Sequence, residues 1–270
     1  MVIQKCLLNL SFLCKFEGEE RIEENQYETT VSPVEEDTHP IFSKVMITTG
    51  FPRSPATKTE ILDLANGRSC RDLADFPVEI LGAVGANLQG TPVVCGGSST
   101  SGEPQKMCYG FNGRWQEYPS LKEERLYAAG IMNKKNWHVF GGVRGVELLK
   151  TSEIVNKNGV VVDGPALLTA VQKHAITSVN QTVAILSGGT TSANSASSKT
   201  FYYNLDTEIF TSGPTLLEGR RVHGSATIED QVTKLKIPVV TGGWKGEFPA
   251  FETIDSTELL INGRWQKGTI

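Results

Sequence analysis

The residues that could do chemistry in this chain are four histidines and five cysteines. The histidines are His39, His138, His174 and His223. No two of them stand three to five residues apart, which is the spacing at which local structure presents two ligands to one metal ion. His174 and His223 fall at matching places in two successive repeats of the chain, which favours packing and hydrogen bonding over a ligand or base role. We therefore expect no metal, no cofactor and no catalytic site.

Cys95 and Cys108 are the two cysteines whose surroundings permit a bond. They fall in two strands that we predict to be adjacent and antiparallel, so a disulfide forms if the register sets them opposite each other. Two buried free thiols are the alternative. Cys70 lies one repeat away, and Cys6 and Cys14 stand near the N-terminus. The odd total leaves at least one thiol unpaired or bonded to another chain, if all five are retained.

These residues are positioned by a repeated pattern, an aliphatic strand that ends on two glycines. Full copies end at Gly97, Gly142, Gly189 and Gly243, and a weaker copy ends at Gly50. Successive copies are about 45 to 54 residues apart, and a period of this length is typical of propellers and other repeat arrays. The chain therefore holds one array rather than two unrelated domains.

Each period contains four short segments that alternate polar and apolar residues, as strands do. Three of them are the glycine-pair strand, a strand such as Thr151–Val155, and a strand that contains Trp115 or Trp265 in two copies. The last two are joined by Asn-Gly, which suits a two-residue hairpin because both residues tolerate positive φ. Asn-Gly occurs at residues 66–67, 112–113, 158–159 and 262–263. The fourth segment carries a small residue, and four strands per period predict the blade of a β-propeller.

This pattern resembles the Kelch repeat over about residues 41–270. The resemblance rests on the glycine-pair strand, the Thr-Glu strand, the tryptophan and an Arg-x-x-small segment, here Arg125–Ala128 and Arg221–Gly224. It implies an all-β, Kelch-type β-propeller of four-stranded blades, with five repeats seen and the last one incomplete. We expect the glycine-pair strands to be innermost, where bulk is hard to place, and the tryptophans to pack between neighbouring blades.

Closure of the ring has two readings. The fifth repeat ends at Ile270, after its third strand, so residues before Val45, such as 26–31 or 41–42, could supply the missing strand. Since Kelch propellers usually have six blades, the alternative is that the chain is part of a longer one.

The first 40 residues differ in composition from the rest. Residues 17–37 hold nine carboxylates and one arginine, so this acidic segment cannot bury enough apolar surface to fold alone, and we expect it to be flexible. Before it, the apolar run of residues 6–14 is about as long as the core of a signal peptide, but no small-x-small cleavage site follows. Asn180-Gln181-Thr182 is a glycosylation sequon. The compartment stays open between secreted and cytoplasmic.

The charge of the chain limits its partners. A net charge of −4 offers no basic footprint for nucleic acid, and no apolar run is long enough to span a membrane. Loops on one face of a propeller are the natural binding surface. We predict a basic arc there from residues that follow the Asn-Gly turns or lie in the other connections, together with two turn asparagines: Arg68, Arg114, Arg264, Lys134, Lys135, Asn112 and Asn158. An acidic peptide, including residues 17–37 of the same chain, is the expected ligand.

The sequence thus predicts a non-catalytic module for protein–protein interaction, a scaffold or adaptor. Three alternatives remain. One is a secreted Kelch protein with an extracellular ligand. A second, implied by the family, is a substrate receptor for ubiquitin ligation, although no BTB-sized domain precedes residue 41. The third is an oxidase of the copper-containing Kelch type, for which His138 is the only histidine expected near the axis.

Overall fold

The structure, a computed structural model, describes residues 44–49, 57–63, 68–70, 73–191, 195–230, 232–247 and 250–268. Every regular element in these ranges is a β-strand, which confirms the predicted all-β class. No helix in the described part of the chain is long and apolar enough to cross a membrane. The acidic segment, His39, Cys6, Cys14 and both suggested closing strands lie outside the described residues.

The described part of the chain begins with two sheets. Sheet 1 has three antiparallel strands in the order β1 (Lys44–Thr48), β2 (Thr59–Asp63) and β3 (Arg68–Cys70). The next six strands are β4 (Ile80–Leu81), β5 (Val84–Leu88), β6 (Thr91–Cys95), β7 (Ser98–Ser99), β8 (Cys108–Phe111) and β9 (Trp115–Tyr118). Sheet 2 has the order β5-β6-β8-β9, and β4 pairs with β7 outside it.

Sheets 3 and 4 repeat this arrangement. Their strands are β10 (Ala129–Met132), β11 (Asn136–Phe140), β12 (Val143–Arg144), β13 (Glu147–Leu148), β14 (Ser152–Asn156), β15 (Val161–Asp163), β16 (Ala175–Ser178), β17 (Val183–Ser187), β18 (Thr200–Asn204) and β19 (Phe210–Ser212). Sheet 3 is β10-β11-β14-β15, sheet 4 is β16-β17-β18-β19, and β12 and β13 form a separate ribbon.

Sheet 5 completes the array. Its region holds β20 (Gly224–Glu229), β21 (Lys236–Thr241), β22 (Trp244–Glu247), β23 (Ala250–Thr253), β24 (Thr257–Ile261) and β25 (Arg264–Gly268). The sheet order is β20-β21-β24-β25, with β22 and β23 as a ribbon. The fourth segment of each sequence repeat opens the next sheet, so sheet 5 has four strands, and within the described residues the strand missing from the array is the first strand of sheet 1.

This shift by one strand also corrects the position of the glycine-pair strands. They are the second strands of their sheets, and the strands whose backbones approach one another most closely across sheets are the first strands, β5, β10, β16 and β20. His138, in β11, is accordingly not in an innermost strand. Within the described residues, sheet 1 is the sheet without a first strand, and no closed ring is detected.

The hydrophobic core is divided among the spaces between neighbouring sheets. Four clusters of buried residues fill the spaces between sheets 1 and 2, 2 and 3, 3 and 4, and 4 and 5. Strands in the middle of the stack are therefore covered on both faces, as β11 illustrates with four consecutive buried residues, Trp137–Phe140. Such a succession of four-stranded antiparallel sheets is compatible with a β-propeller.

The two tryptophans of the repeated pattern join neighbouring sheets. Trp115 in β9 donates its indole N–H to Thr59 Oγ1 of sheet 1 at 3.0 Å. Trp265 in β25 donates to the carbonyl of Pro214, which follows sheet 4, also at 3.0 Å. Both side chains are buried, so their role is to pack one sheet against the preceding one.

The Asn-Gly turns differ from one another. The turn between β24 and β25 is a two-residue hairpin, in which Asn262 and Gly263 both have positive φ. Between β8 and β9 the paired residues are Phe111 and Trp115, so the turn has three residues and only Gly113 has positive φ. Arg114 is therefore a turn residue, whereas Arg264 begins a strand.

Candidate functional site

The most completely bonded charged group in the described residues is Arg125. Its side chain is fully buried, and Nε donates to Glu153 Oε1 of β14 at 2.8 Å. Its Nη1 donates to the carbonyls of Gly141 and Thr151 at 2.9 and 3.1 Å. Because these acceptors belong to sheet 3 and Arg125 belongs to the segment after sheet 2, the guanidinium fastens two sheets together.

Arg220 repeats this arrangement between sheets 4 and 5. Its Nη2 donates to Glu258 Oε1 at 2.7 Å, and Nη1 donates to the carbonyls of Gly242 and Ser256. The sequence pattern had matched Arg221 with Arg125, and this match is wrong by one residue. Arg221 instead lies over the ring of Phe251, 5.4 Å from its centroid, and Phe251 stacks on Trp244.

The position that holds Arg125 and Arg220 is apolar at the two other junctions, between sheets 1 and 2 and between sheets 3 and 4. The carbonyl of Val171 accepts from Gly142 N, as the carbonyls of Arg125 and Arg220 accept from Gly97 and Gly189. Val171 belongs to the cluster between sheets 3 and 4 that Phe201 packs against. Ile80 and Tyr109 likewise share the cluster between sheets 1 and 2. Ion pairs and apolar pairs thus occupy the same position at different junctions, and each joins one sheet to the next.

The buried histidines are held neutral. His138 Nδ1 lies 3.1 Å from Tyr203 Oη, and burial lowers the His138 pKa to about 4. Burial also raises the pKa of Tyr203, and the negative charge of Glu208 raises it further. Neither group is therefore poised to exchange a proton near neutral pH.

His174 and His223 occupy matching positions just before β16 and β20. Burial lowers both pKa values to about 3, and for His223 the nearby Arg220 and His174 add to the effect. His223 Nε2 lies 2.9 Å from Ser187 Oγ, but the matching residue for His174 is Phe140, which offers no hydrogen bond. Both ring nitrogens of His174 lack a partner within the described residues.

Among the described residues, no group of three or more His, Cys, Asp or Glu side chains is placed to hold a metal ion.

Each four-stranded sheet has two chemically different ends. Asn136 at the start of β11 opposes Asn156 at the end of β14, so the β10–β11 hairpin and the β14–β15 turn lie at one end of sheet 3. We call this the hairpin end, and the end with the glycine pairs the glycine end. The predicted residues Lys134 and Lys135 are therefore at the same end as Asn158.

Three exposed lysines converge on the hairpin end of sheet 3: Lys134, Lys135 and Lys157. None of them takes part in an ion pair within the described residues. Asn133 Oδ1 fixes the first hairpin by accepting from the backbone N–H of residues 135 and 136, at 2.8 and 2.6 Å. Lys157 was missed in the sequence, although it stands directly before the Asn-Gly turn.

The remaining basic residues are spread over other sheets. Asn112 and Arg114 are exposed in the β8–β9 turn of sheet 2, and Arg264 is exposed in sheet 5. Arg68 is the first residue of β3, and its side chain lies outside the description. Since sheets 3 and 4 stand between sheets 2 and 5 and no ring closure is detected, the described residues do not bring Arg264 beside Arg114. The arc of three arginines stays a prediction.

Cys95 and Cys108 form a disulfide. They are direct partners in the pairing of β6 with β8, with Cα atoms 4.1 Å apart, and both are buried.

Comparison with protein-family models gives no match, and no curated protein is significantly similar to the chain.

Proposed function

We propose that this chain is a Kelch-type β-propeller that acts as a non-catalytic protein-binding module. The proposal is supported by the five copies of the glycine-pair pattern and by the face-to-face packing of consecutive four-stranded sheets. The buried Arg125–Glu153 and Arg220–Glu258 pairs support it as well, because in them the repeated charged residues are bonded to each other inside the structure.

The observation that carries the proposal is the group of three lysines at the hairpin end of sheet 3, none of which forms an ion pair within the described residues. Three like charges at the same end of one sheet repel one another, and a partner that supplies carboxylates relieves this repulsion. The surface is bounded on one side, because Asn133 Nδ2 contacts the carbonyl of Leu205, and the exposed Asp206 and Glu208 follow it. The ligand is therefore an acidic polypeptide segment that lies over sheet 3 and continues away from sheet 4.

Charge reversal tests the proposal. The full-length protein, a K134E/K135E/K157E variant and a control variant would be used to capture proteins from an extract of cells that express the chain. The control is K106E/K150E/K199E, which reverses three exposed lysines at the glycine ends of sheets 2 to 4 and changes the net charge equally.

We expect the hairpin-end variant to lose, by about tenfold or more, acidic partners that the wild type and the control retain. These partners should also be released from the wild type as salt is raised, because surface charge interactions are screened. Equal loss with both variants would show that binding depends on the net charge of the protein and not on this surface. Retention by the hairpin-end variant would refute this surface.

A further inference from the structure

The disulfide lies at a repeated position that does not require sulfur. At the equivalent cross-strand position, sheet 1 pairs Thr48 with Thr59, whose hydroxyl oxygens are 2.8 Å apart, and sheet 5 pairs Thr241 with Thr257 at 2.9 Å. The two threonine pairs show that a hydrogen bond suffices at this place in the fold. The cysteine pair of sheet 2 therefore adds a covalent link that the packing itself does not demand.

Such a link is informative about the compartment. A buried intramolecular disulfide persists where thiols are oxidised, and cytosolic reductants keep most structural thiols reduced. Cys95 and Cys108 are 1% and 2% exposed, so the bond is shielded from attacking thiols once it has formed.

A second feature, far from the cysteines in sequence, points in the same direction. Asn180, Gln181 and Thr182 form the exposed tip of the hairpin between β16 and β17. Asn180 Oδ1 accepts from the backbone N–H groups of Thr182 and Val183, at 2.9 and 2.8 Å, and from Thr182 Oγ1 at 3.2 Å. The side-chain oxygen is thus fully engaged, and Nδ2 makes no hydrogen bond within the described residues.

We propose that the chain matures in an oxidising secretory compartment, where Cys95 and Cys108 become bonded and Asn180 receives an N-linked oligosaccharide. In the first step the two thiols lose two protons and two electrons to an oxidised dithiol carrier, which is reduced. In the second step Asn180 Nδ2 loses a proton and bonds to the anomeric carbon of an oligosaccharide carried on a lipid diphosphate. The bond from that carbon to the diphosphate oxygen breaks, and the lipid diphosphate leaves.

The hairpin tip can accept a bulky group. Asn180 lies at the hairpin end of sheet 4, outside the clusters that fill the spaces between sheets. An oligosaccharide there extends into solvent without displacing core residues, and it stands on the sheet next to the one that carries Lys134 and Lys135.

The first experiment is peptide mass spectrometry of the protein isolated from its native source, with free thiols alkylated before any reduction. Treatment with peptide N-glycosidase in ¹⁸O-water should convert Asn180 to labelled Asp, and a peptide pair linked through Cys95 and Cys108 should disappear on reduction. Site mapping is needed because Asn9-Leu10-Ser11 is a second sequon, which lies outside the described residues. Alkylated cysteines and an unmodified Asn180 would overturn the proposal.

The second experiment separates the site from the compartment. The full chain is directed into the secretory pathway of cultured animal cells by an added signal peptide, as wild type, Thr182→Ala and Thr182→Ser. Wild type and T182S, which both keep the sequon, should carry a glycan on Asn180, whereas T182A should lose at least 90% of it. Absence of the glycan from wild type in these cells would refute the site. Its presence here but not on the native protein would refute the compartment.

Discussion

One repeated position between the sheets accepts either an ion pair or an apolar pair. Arg125 with Glu153 and Arg220 with Glu258 take the charged form, while Val171 with Phe201 and Ile80 with Tyr109 take the apolar form. Burying a charge is costly unless it is paired, so both members of a pair must have the same character. The two residues of each pair are therefore expected to be either both charged or both apolar.

This linkage predicts an asymmetric mutational response. Arg125→Val alone leaves Glu153 buried without its cation and should lower the free energy of unfolding by about 3 to 5 kcal/mol. The double variant R125V/E153F, which copies the pair between sheets 3 and 4, should recover more than half of that loss. Urea unfolding followed by tryptophan fluorescence measures both, and equal destabilisation by the single and double variants would contradict the linkage.

Buried neutral histidines predict a sensitivity to acid. Because burial lowers the pKa of His174 from 6.5 to about 3, only the unfolded chain takes up its proton as the pH falls through this window. Stability should therefore decrease as the pH is lowered from about 6.5 towards 3, at up to about 1.4 kcal/mol per pH unit for each such histidine.

Replacing His174 by leucine isolates this contribution. The side chain has no hydrogen-bond partner among the described residues, so His174→Leu orphans no partner there. The variant should lose less stability than the wild type between pH 6.5 and 4 when unfolding is measured at several pH values. His223→Leu is the comparison, since it also removes a bond to Ser187 and should lower stability at pH 7. An unchanged pH slope in H174L would show that His174 is not held neutral.

At the scale of elements, the glycines that follow the second strand of a sheet contact the chain segment that leads into the next sheet. A Cβ atom at Gly96 would stand 2.5 Å from the carbonyl oxygen of Arg125, and φ at this glycine is +67°. At Gly242 the nearest such atom is Ile254 O at 3.7 Å, because the described residues place no further sheet against this end of sheet 5. The glycine pairs are thus fitted to a junction between sheets, rather than to an innermost strand.

A matched pair of alanine variants separates the junction from the backbone conformation. Gly145 has φ of +60° but no heavy atom within 4 Å of an added Cβ. Gly145→Ala should therefore cost only the left-handed conformation, about 1 to 2 kcal/mol. Gly96→Ala carries the same conformational cost plus displacement of the Arg125 segment, so its thermal midpoint should fall further. Equal midpoints for G96A and G145A would contradict the role assigned to the junction.

At the scale of the whole molecule, stability is distributed along a stack of sheets. Sheets 2, 3 and 4 have core clusters on both faces, whereas within the described residues sheet 5 has one cluster, on the side of sheet 4. Local opening is easiest where the fewest apolar contacts must be broken. The array should therefore loosen from its ends.

Hydrogen exchange tests this distribution. Amides of β11 and β17 should exchange slowest, and those of β25 should exchange faster by at least about tenfold. Each comparison is made between hydrogen-bonded strand amides, which serves as the control for solvent exposure. Equal protection of β25 and β17 would contradict this distribution of stability.

The sequence alone determined the main strands, the places at which the chain turns between them, and the four-strand period. Alternation of polar and apolar residues, positive φ at glycine and the preference of Asn-Gly for tight turns act over a few residues, so they can be read locally. The all-β class followed from them, and so did the placement of Trp115 and Trp265 between sheets. The sequence also identified Cys95 and Cys108 as members of adjacent strands.

Only the tertiary structure decided which strand opens a sheet, whether Arg220 or Arg221 reaches Glu258, and which lysines share an end. A period has no intrinsic starting point, so hydrogen bonding between strands, and not the repeat, sets the boundary of each sheet. Arg220 and Arg221 are adjacent and chemically identical, and only packing against the next sheet distinguishes them. Lys157 joined Lys134 and Lys135 because β11 and β14 pair with Asn136 opposite Asn156, a relation between residues that lie far apart in the chain.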